Sequence, residues 1–145
     1  MTTTEPKPVK KALSGKMMKL SQDMAQGVLR GNRCEECGTY FFGAPQFCIK
    51  CTSGKLKQVE LSKVGKLYSY TIVRQAPPGW QGAVPYILGS VILPEGPQII
   101  SEIVDCTEDI VKIGMMLEVV FRVGGKLPDG TEIVVYKWRP QTALL

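Results

Sequence analysis

The chain has no histidine among its 145 residues. That absence removes serine–histidine and cysteine–histidine nucleophilic catalysis, histidine-ligated metals and the helical zinc-protease motif. It also lacks a glycine-rich phosphate loop with its lysine and the glycine fingerprint of dinucleotide folds. No apolar run approaches the ~20 residues of a membrane span, so no membrane partner is expected. The first residues, Met1-Thr2-Thr3-Thr4-Glu5-Pro6, offer no apolar core of the kind a secretory leader needs. A reducing cytoplasm is the expected compartment. The carboxylate pairs Glu35/Glu36 and Glu108/Asp109 fall in polar turns and read as solvated. No residue qualifies as catalytic, and no autonomous enzyme activity is expected.

Against these absences stand four cysteines in two clips, Cys34-Glu35-Glu36-Cys37 and Cys48-Ile49-Lys50-Cys51. Each clip places two thiolates on one tight turn. The ten residues between the clips let the chain fold back and gather four sulfurs around one tetrahedral ion. In a reducing compartment such clips read as a metal site and not as two disulfides. Zinc suits four soft thiolates, although mononuclear iron uses the same ligands. Four thiolates fill the coordination sphere, so the ion would build structure and leave no open position for chemistry. Gly38 supplies the permissive backbone that a metal knuckle needs. The fifth cysteine, Cys106, has no histidine to activate it and reads as a half-buried thiol.

Composition divides the remainder. In residues 1–30, Met17, Leu20, Met24 and Val28 recur at helical spacing, which predicts an amphipathic helix over residues 15–29 with Gly31 as its stop. Its apolar stripe would lie on its own domain or on a partner protein. Residues 31–57 hold the clips, with Tyr40, Phe41, Phe42 and Phe47 expected to pack round the ion. From residue 59 period-two patterning takes over. Strands are expected over residues 67–73, 86–93, 98–104, 116–123 and 132–138, with a short helical turn near 108–113. Five strands of this length suit a small closed barrel, the OB fold above all. The expected fold is therefore mainly β: an N-terminal helical arm (1–30), a four-cysteine zinc ribbon (31–57) and a five-stranded OB barrel (58–145).

One connection stands out, Ala76-Pro77-Pro78-Gly79-Trp80-Gln81-Gly82-Ala83-Val84-Pro85. A tryptophan on a loop of prolines and glycines either plugs the barrel mouth or contacts a ligand, since binding residues concentrate on loops held by rigid barrels. Charge bears on which ligand. Residues 1–67 carry twelve Lys and Arg against five Asp and Glu, a balance of +7; residues 68–145 carry six against eight, a balance of −2. A barrel that tracked nucleic acid would be basic. Nucleic acid is thus the lesser alternative, and the basic half fits an acidic protein or the phosphates of a small ligand.

The ordered set Arg33-Cys34-Glu35-Glu36-Cys37-Gly38, Cys48-Ile49-Lys50-Cys51, Leu67-Tyr68-Ser69-Tyr70-Thr71, Pro77-Pro78-Gly79-Trp80, Val84-Pro85-Tyr86 and Ile113-Gly114-Met115 resembles the DUF35 family, over about residues 15–140. Two positions depart from its pattern: Ile49 stands where proline is usual and Thr52 where glycine is usual. The resemblance implies a helical arm, a rubredoxin-like zinc ribbon held by Cys34, Cys37, Cys48 and Cys51, and an OB barrel. It further implies an accessory subunit that docks on a thiolase-fold partner, which performs the carbon–carbon bond chemistry on acyl-CoA thioesters. In that setting Tyr70, Pro77, Gly79, Trp80 and Tyr86 would contact the acyl-CoA at the shared interface.

Overall fold

The computed structural model describes residues 9–22 and 26–141, and every regular element among them is a strand. Five strands make the barrel: β6 (Val64–Val73), β7 (Tyr86–Ile92), β8 (Gln98–Ile103), β9 (Met116–Lys126) and β10 (Glu132–Pro140). They pair in the order β6-β7-β8-β10-β9, and β9 returns to β6 to close the ring. Only the β8–β10 contact is parallel, made at the single register pair Trp138–Ile103. This is the expected closed five-stranded barrel, with all five strands near their anticipated positions.

Alternation explains the barrel's inside. Along β7, Ile87, Gly89 and Val91 are buried while Tyr86, Leu88, Ser90 and Ile92 are only partly so. Leu67, Ile99, Ile103, Leu117, Val134 and Trp138 fill the same interior, each almost wholly removed from water. Gly89 is required by its neighbours, since a Cβ there would lie 2.5 Å from the Ile103 side chain. The turn anticipated near residues 108–113 is one turn, in which the amides of Ile110 and Val111 both donate to the Thr107 carbonyl at 3.0 Å.

The N-terminal helix is not found among the described residues. Met18–Leu20 is a strand, β2, antiparallel to the start of β3 (Gly27–Cys34), so that Met18 faces Leu29. Both side chains are buried in the barrel's own apolar cluster. Met24, part of the expected helical stripe, lies outside the described residues. The stripe Met17–Leu20–Val28 was coincidental; the pattern that decides is Met18 buried, Lys19 exposed, Leu29 buried, which a strand satisfies. Gly31 is not a helix stop but lies inside β3, where a Cβ would come 2.0 Å from the Phe41 carbonyl oxygen.

Strand β3 organises the smaller sheet. It pairs with β4 (Tyr40–Phe42) through Gly31–Arg33 and with β5 (Leu56–Glu60) through Arg30–Cys34. Buried Asn32 donates from Nδ2 to the Gly43 carbonyl at 2.8 Å, tying the β4 exit to the sheet. Besides the shared apolar cluster, polar and aromatic contacts join this ribbon to the barrel. Phe42 meets Tyr136 edge-on with ring centres 5.4 Å apart. The Ser62 amide donates to Glu95 Oε1 at 3.1 Å, and the Ser62 hydroxyl donates to the same oxygen. A short strand absent from the sequence expectations, β1 (Lys10–Ala12), runs parallel to Glu132–Val134 of β10. It occupies the barrel wall beside the stretch where β8 does not reach β10.

Candidate metal centre and ligand groove

The four clip cysteines meet. Cys34 ends β3, Cys37 follows its turn, and Cys48 and Cys51 lie on the loop returning to β5. Their sulfurs all lie within 4.8 Å of one another. The pairs Cys34–Cys51 and Cys37–Cys48 are 3.5 Å apart, far beyond a disulfide bond. A tetrahedral ion with metal–sulfur bonds of about 2.3 Å has sulfur–sulfur edges of ~3.8 Å, so the cage fits such an ion. The backbone is shaped for it as well. The Cys37 amide points at Cys34 Sγ at 3.5 Å, and the Cys51 amide at Cys48 Sγ at 3.4 Å. The two turns repeat one another: the Gly38 amide donates to the Cys34 carbonyl at 2.9 Å, the Thr52 amide to the Cys48 carbonyl at 2.8 Å.

At the residue after each clip the chain turns left-handed, with φ of 80° at Gly38 and 64° at Thr52. Glycine accepts that conformation freely, whereas threonine is strained there. Charge among the sulfurs is uneven. The Thr39 hydroxyl, 3.1 Å from Cys37 Sγ, and the Thr39 amide draw the Cys37 thiol down to about 6. The Ser53 amide draws Cys51 down as well. Sharing with Cys34 and the loss of water outweigh it and push that thiol up to about 12. Four adjacent sulfurs cannot all be anionic without a cation between them. The set could hold one metal ion, and its four soft donors suit zinc or iron. Cys34 and Cys48 are buried; Cys37 and Cys51 are exposed. The aromatics between the clips do not all surround the cage. Phe42 and Tyr40 turn to the barrel core, and Phe47 is exposed.

On the barrel, the Trp80 loop folds back onto Tyr86 and does not stand free. The two rings stack 4.1 Å apart at 21°, and the Trp80 indole N–H donates to the Ala83 carbonyl at 3.2 Å. The stack roofs a groove of about 530 Å³ on the outer face of β7, β8, β10 and β9. Leu13, Leu88, Val123 and Val135 give it apolar walls. Its floor carries an ion pair between Glu102 and Lys137, 2.8 Å apart and each less than one-fifth exposed. Lys137 also lies 6.0 Å from the centre of the Trp80 ring. Gly124 and Gly125 let the β9–β10 hairpin approach: a Cβ on Gly125 would sit 3.2 Å from the Gln81 side chain.

Of the five residues singled out as ligand contacts, Trp80 and Tyr86 line this groove. Pro77 and Gly79 belong to the same loop but are not among its lining residues. Tyr70, paired with Gly89 across the strands, is exposed and is not among the groove's lining residues. Sequence reasoning missed Leu13, Glu102, Lys137 and the β9–β10 hairpin. The pair Gly124-Gly125 was a usable signal for the hairpin; the Glu102–Lys137 pair, 35 residues apart, gave none.

The comparisons with known proteins agree with this architecture. The family model described as "ChsH2, C-terminal OB-fold domain" matches residues 58–122, the first part of the barrel region. A DUF35 domain-containing scaffold protein of Methanocaldococcus jannaschii is 38% identical over 114 residues, covering 77% of this chain and 81% of that one. The benzoylsuccinyl-CoA thiolase subunit BbsA of Geobacter metallireducens is 33% identical over 88 residues, covering 60% of this chain and 58% of that one. Among solved structures, the Ltp2-ChsH2(DUF35) aldolase superposes with a TM-score of 0.66 at 25% identity, over 79% of this chain and 86% of its counterpart.

Proposed function

The chain belongs to the DUF35 family, and from that premise we propose that it is a non-catalytic subunit that docks on a thiolase-fold partner and helps form its acyl-CoA site. The observation that carries this reading is the groove beneath the Trp80–Tyr86 stack, apolar along its walls and held by a rigid barrel. The relatives support it. One is a thiolase subunit by name, another is named in the Ltp2-ChsH2(DUF35) aldolase, and those from three further organisms are named scaffold proteins. A chain without histidine leaves acid–base chemistry on the thioester to the partner.

In this reading Cys34, Cys37, Cys48 and Cys51 hold one zinc ion, whose task is to fix the ribbon. The ribbon of residues 31–57 and the barrel of residues 58–145 then present one surface. Trp80 and Tyr86 contact the pantetheine or acyl part of the ligand directly, while Pro77 and Gly79 hold the loop in shape. Tyr70 lies off the groove, on a surface left for the partner. The compartment that goes with a four-thiolate metal site is a reducing cytoplasm. Co-expression with the thiolase-fold protein of the same organism tests the reading. It predicts one stable hetero-oligomer through affinity and size-exclusion steps. Two proteins that elute apart, with full thiolase activity in the larger alone, would refute it.

A further inference from the structure

A second concavity, of about 330 Å³, lies between β9 and the segment that enters β3. Its wall carries Lys63, Arg122 and Arg139, together with Gln26, Val120 and Phe121, and no carboxylate. Both arginines are held from behind. Arg122 gives its two terminal nitrogens to Asp105, at 3.2 and 2.6 Å, and Arg139 gives Nε to Glu118 at 2.6 Å. A guanidinium has five N–H donors. With two engaged on Arg122 and one on Arg139, three and four remain for another acceptor. Lys63 takes part in no ion pair among the described residues, so its ammonium is a third donor group.

We propose that this pocket binds the phosphate group of a phosphate ester. Several donors around one concavity match an acceptor with three oxygens and up to two negative charges, and forked guanidinium groups suit that geometry. Because Asp105 and Glu118 fix the arginines beforehand, little side-chain freedom is lost when the anion arrives. Position identifies the class of ester. On the outer face of the β9–β10 hairpin, Val120 of this pocket is the cross-strand partner of Lys137 of the groove. The pocket takes Val119–Arg122 of β9 and the groove takes Val123–Lys126, adjacent stretches of one strand. A ligand with its phosphate in the pocket and an apolar chain in the groove would run along β9, over ~13 Å from Val120 to Gly124 at about 3.3 Å per residue. A nucleotide-linked thioester has that layout. The choice of coenzyme A as the source of the phosphate rests on the functional reading above; the site itself does not.

Calorimetric titration of the metal-loaded chain with coenzyme A, ADP and inorganic phosphate tests the proposal, in the wild type and in Lys63→Gln and Arg139→Gln. Coenzyme A and ADP should bind more tightly than inorganic phosphate. Each variant should weaken binding about tenfold or more, as expected for loss of one charge-assisted donor, and added salt should weaken it further. Binding of inorganic phosphate alone, lost in the same variants, would support the site and assign it to free phosphate. Lys63 is exposed, so its variant should melt as the wild type does and remains informative if Arg139→Gln unfolds. Affinities equal in wild type and both variants would overturn the proposal, as would failure of all three probes to bind. So would a single-stranded oligonucleotide that binds more tightly than coenzyme A and is released by the same variants. These titrations use the isolated chain, so a failure to dock on a thiolase-fold partner would sink the functional reading without touching them.

Discussion

At the scale of single residues, Thr52 is the place where this chain departs from the easiest solution. The second clip needs a left-handed residue after it, as the first clip needs Gly38, yet position 52 is threonine at φ 64°. Thr52→Gly should relieve strain of about 1–2 kcal/mol, less the ~0.5–1 kcal/mol that glycine's unfolded-state freedom takes back. A higher melting temperature for the metal-loaded variant is the expected result; an unchanged or lower one would mean that the Thr52 hydroxyl bond to the Cys51 carbonyl, 2.6 Å long, matters more than the strain. A second residue-scale prediction concerns the groove floor. Lys137→Met leaves Glu102 four-fifths buried without its partner and should cost about 1–3 kcal/mol. Adding Glu102→Gln should recover part of that loss, measurable as a coupling energy in a denaturation cycle.

At the scale of elements, the ribbon and barrel differ in how they are held. The ribbon sheet shares its buried apolar side chains, Met18 and Leu29, with the barrel's cluster, and its far end is fixed by the cysteine cage. Metal binding and ribbon folding should therefore be coupled. Cys34→Ser is expected to lower bound metal below one equivalent and to broaden amide resonances of β3, β4 and β5 first. Retention of full metal content and an unchanged melting temperature would contradict a structural role. Gly31→Ala should give a similar phenotype without touching a ligand, because its Cβ would meet the Phe41 carbonyl at 2.0 Å. The same elements show what sequence could and could not convey. The barrel strands were legible because alternation of the kind seen in β7 is a local property that burial enforces. The cage was legible because four cysteines in two clips admit few other uses. The arm was misread because the 3.6-residue spacing of Met17, Leu20 and Val28 is local. What decides its fate is not: Met18 must pair with Leu29, and β1 must find β10 across some 120 residues. The face that Tyr70 presents was not legible for a related reason. The register breaks between Leu67 and Ser69, and a one-residue shift of pairing moves a side chain to the other face.

At the scale of the whole molecule, one apolar cluster runs from Met18, Leu29 and Leu61 on the ribbon side through the barrel to Trp138. Trp138 is fully enclosed, and its indole nitrogen finds no partner among the described residues. Trp138→Ala should cost about 3–5 kcal/mol through the cavity it opens. Trp138→Phe should cost much less, because it also removes an unsatisfied donor. Equal losses in the two variants, read from denaturant midpoints, would contradict the cavity argument. The shared core means that ribbon and barrel should unfold together once metal is bound, leaving one rigid body with the groove and the basic pocket on the outer face of the β9–β10 hairpin. The role proposed above, completing another protein's site, rests on those surfaces. The affinity of the thiolase-fold partner for coenzyme A, measured with and without this chain, tests that claim most directly. The account predicts tighter binding in the complex, with the gain lost when Trp80→Ala removes the roof of the groove. Equal affinity with and without the chain, in a complex that demonstrably forms, would contradict it.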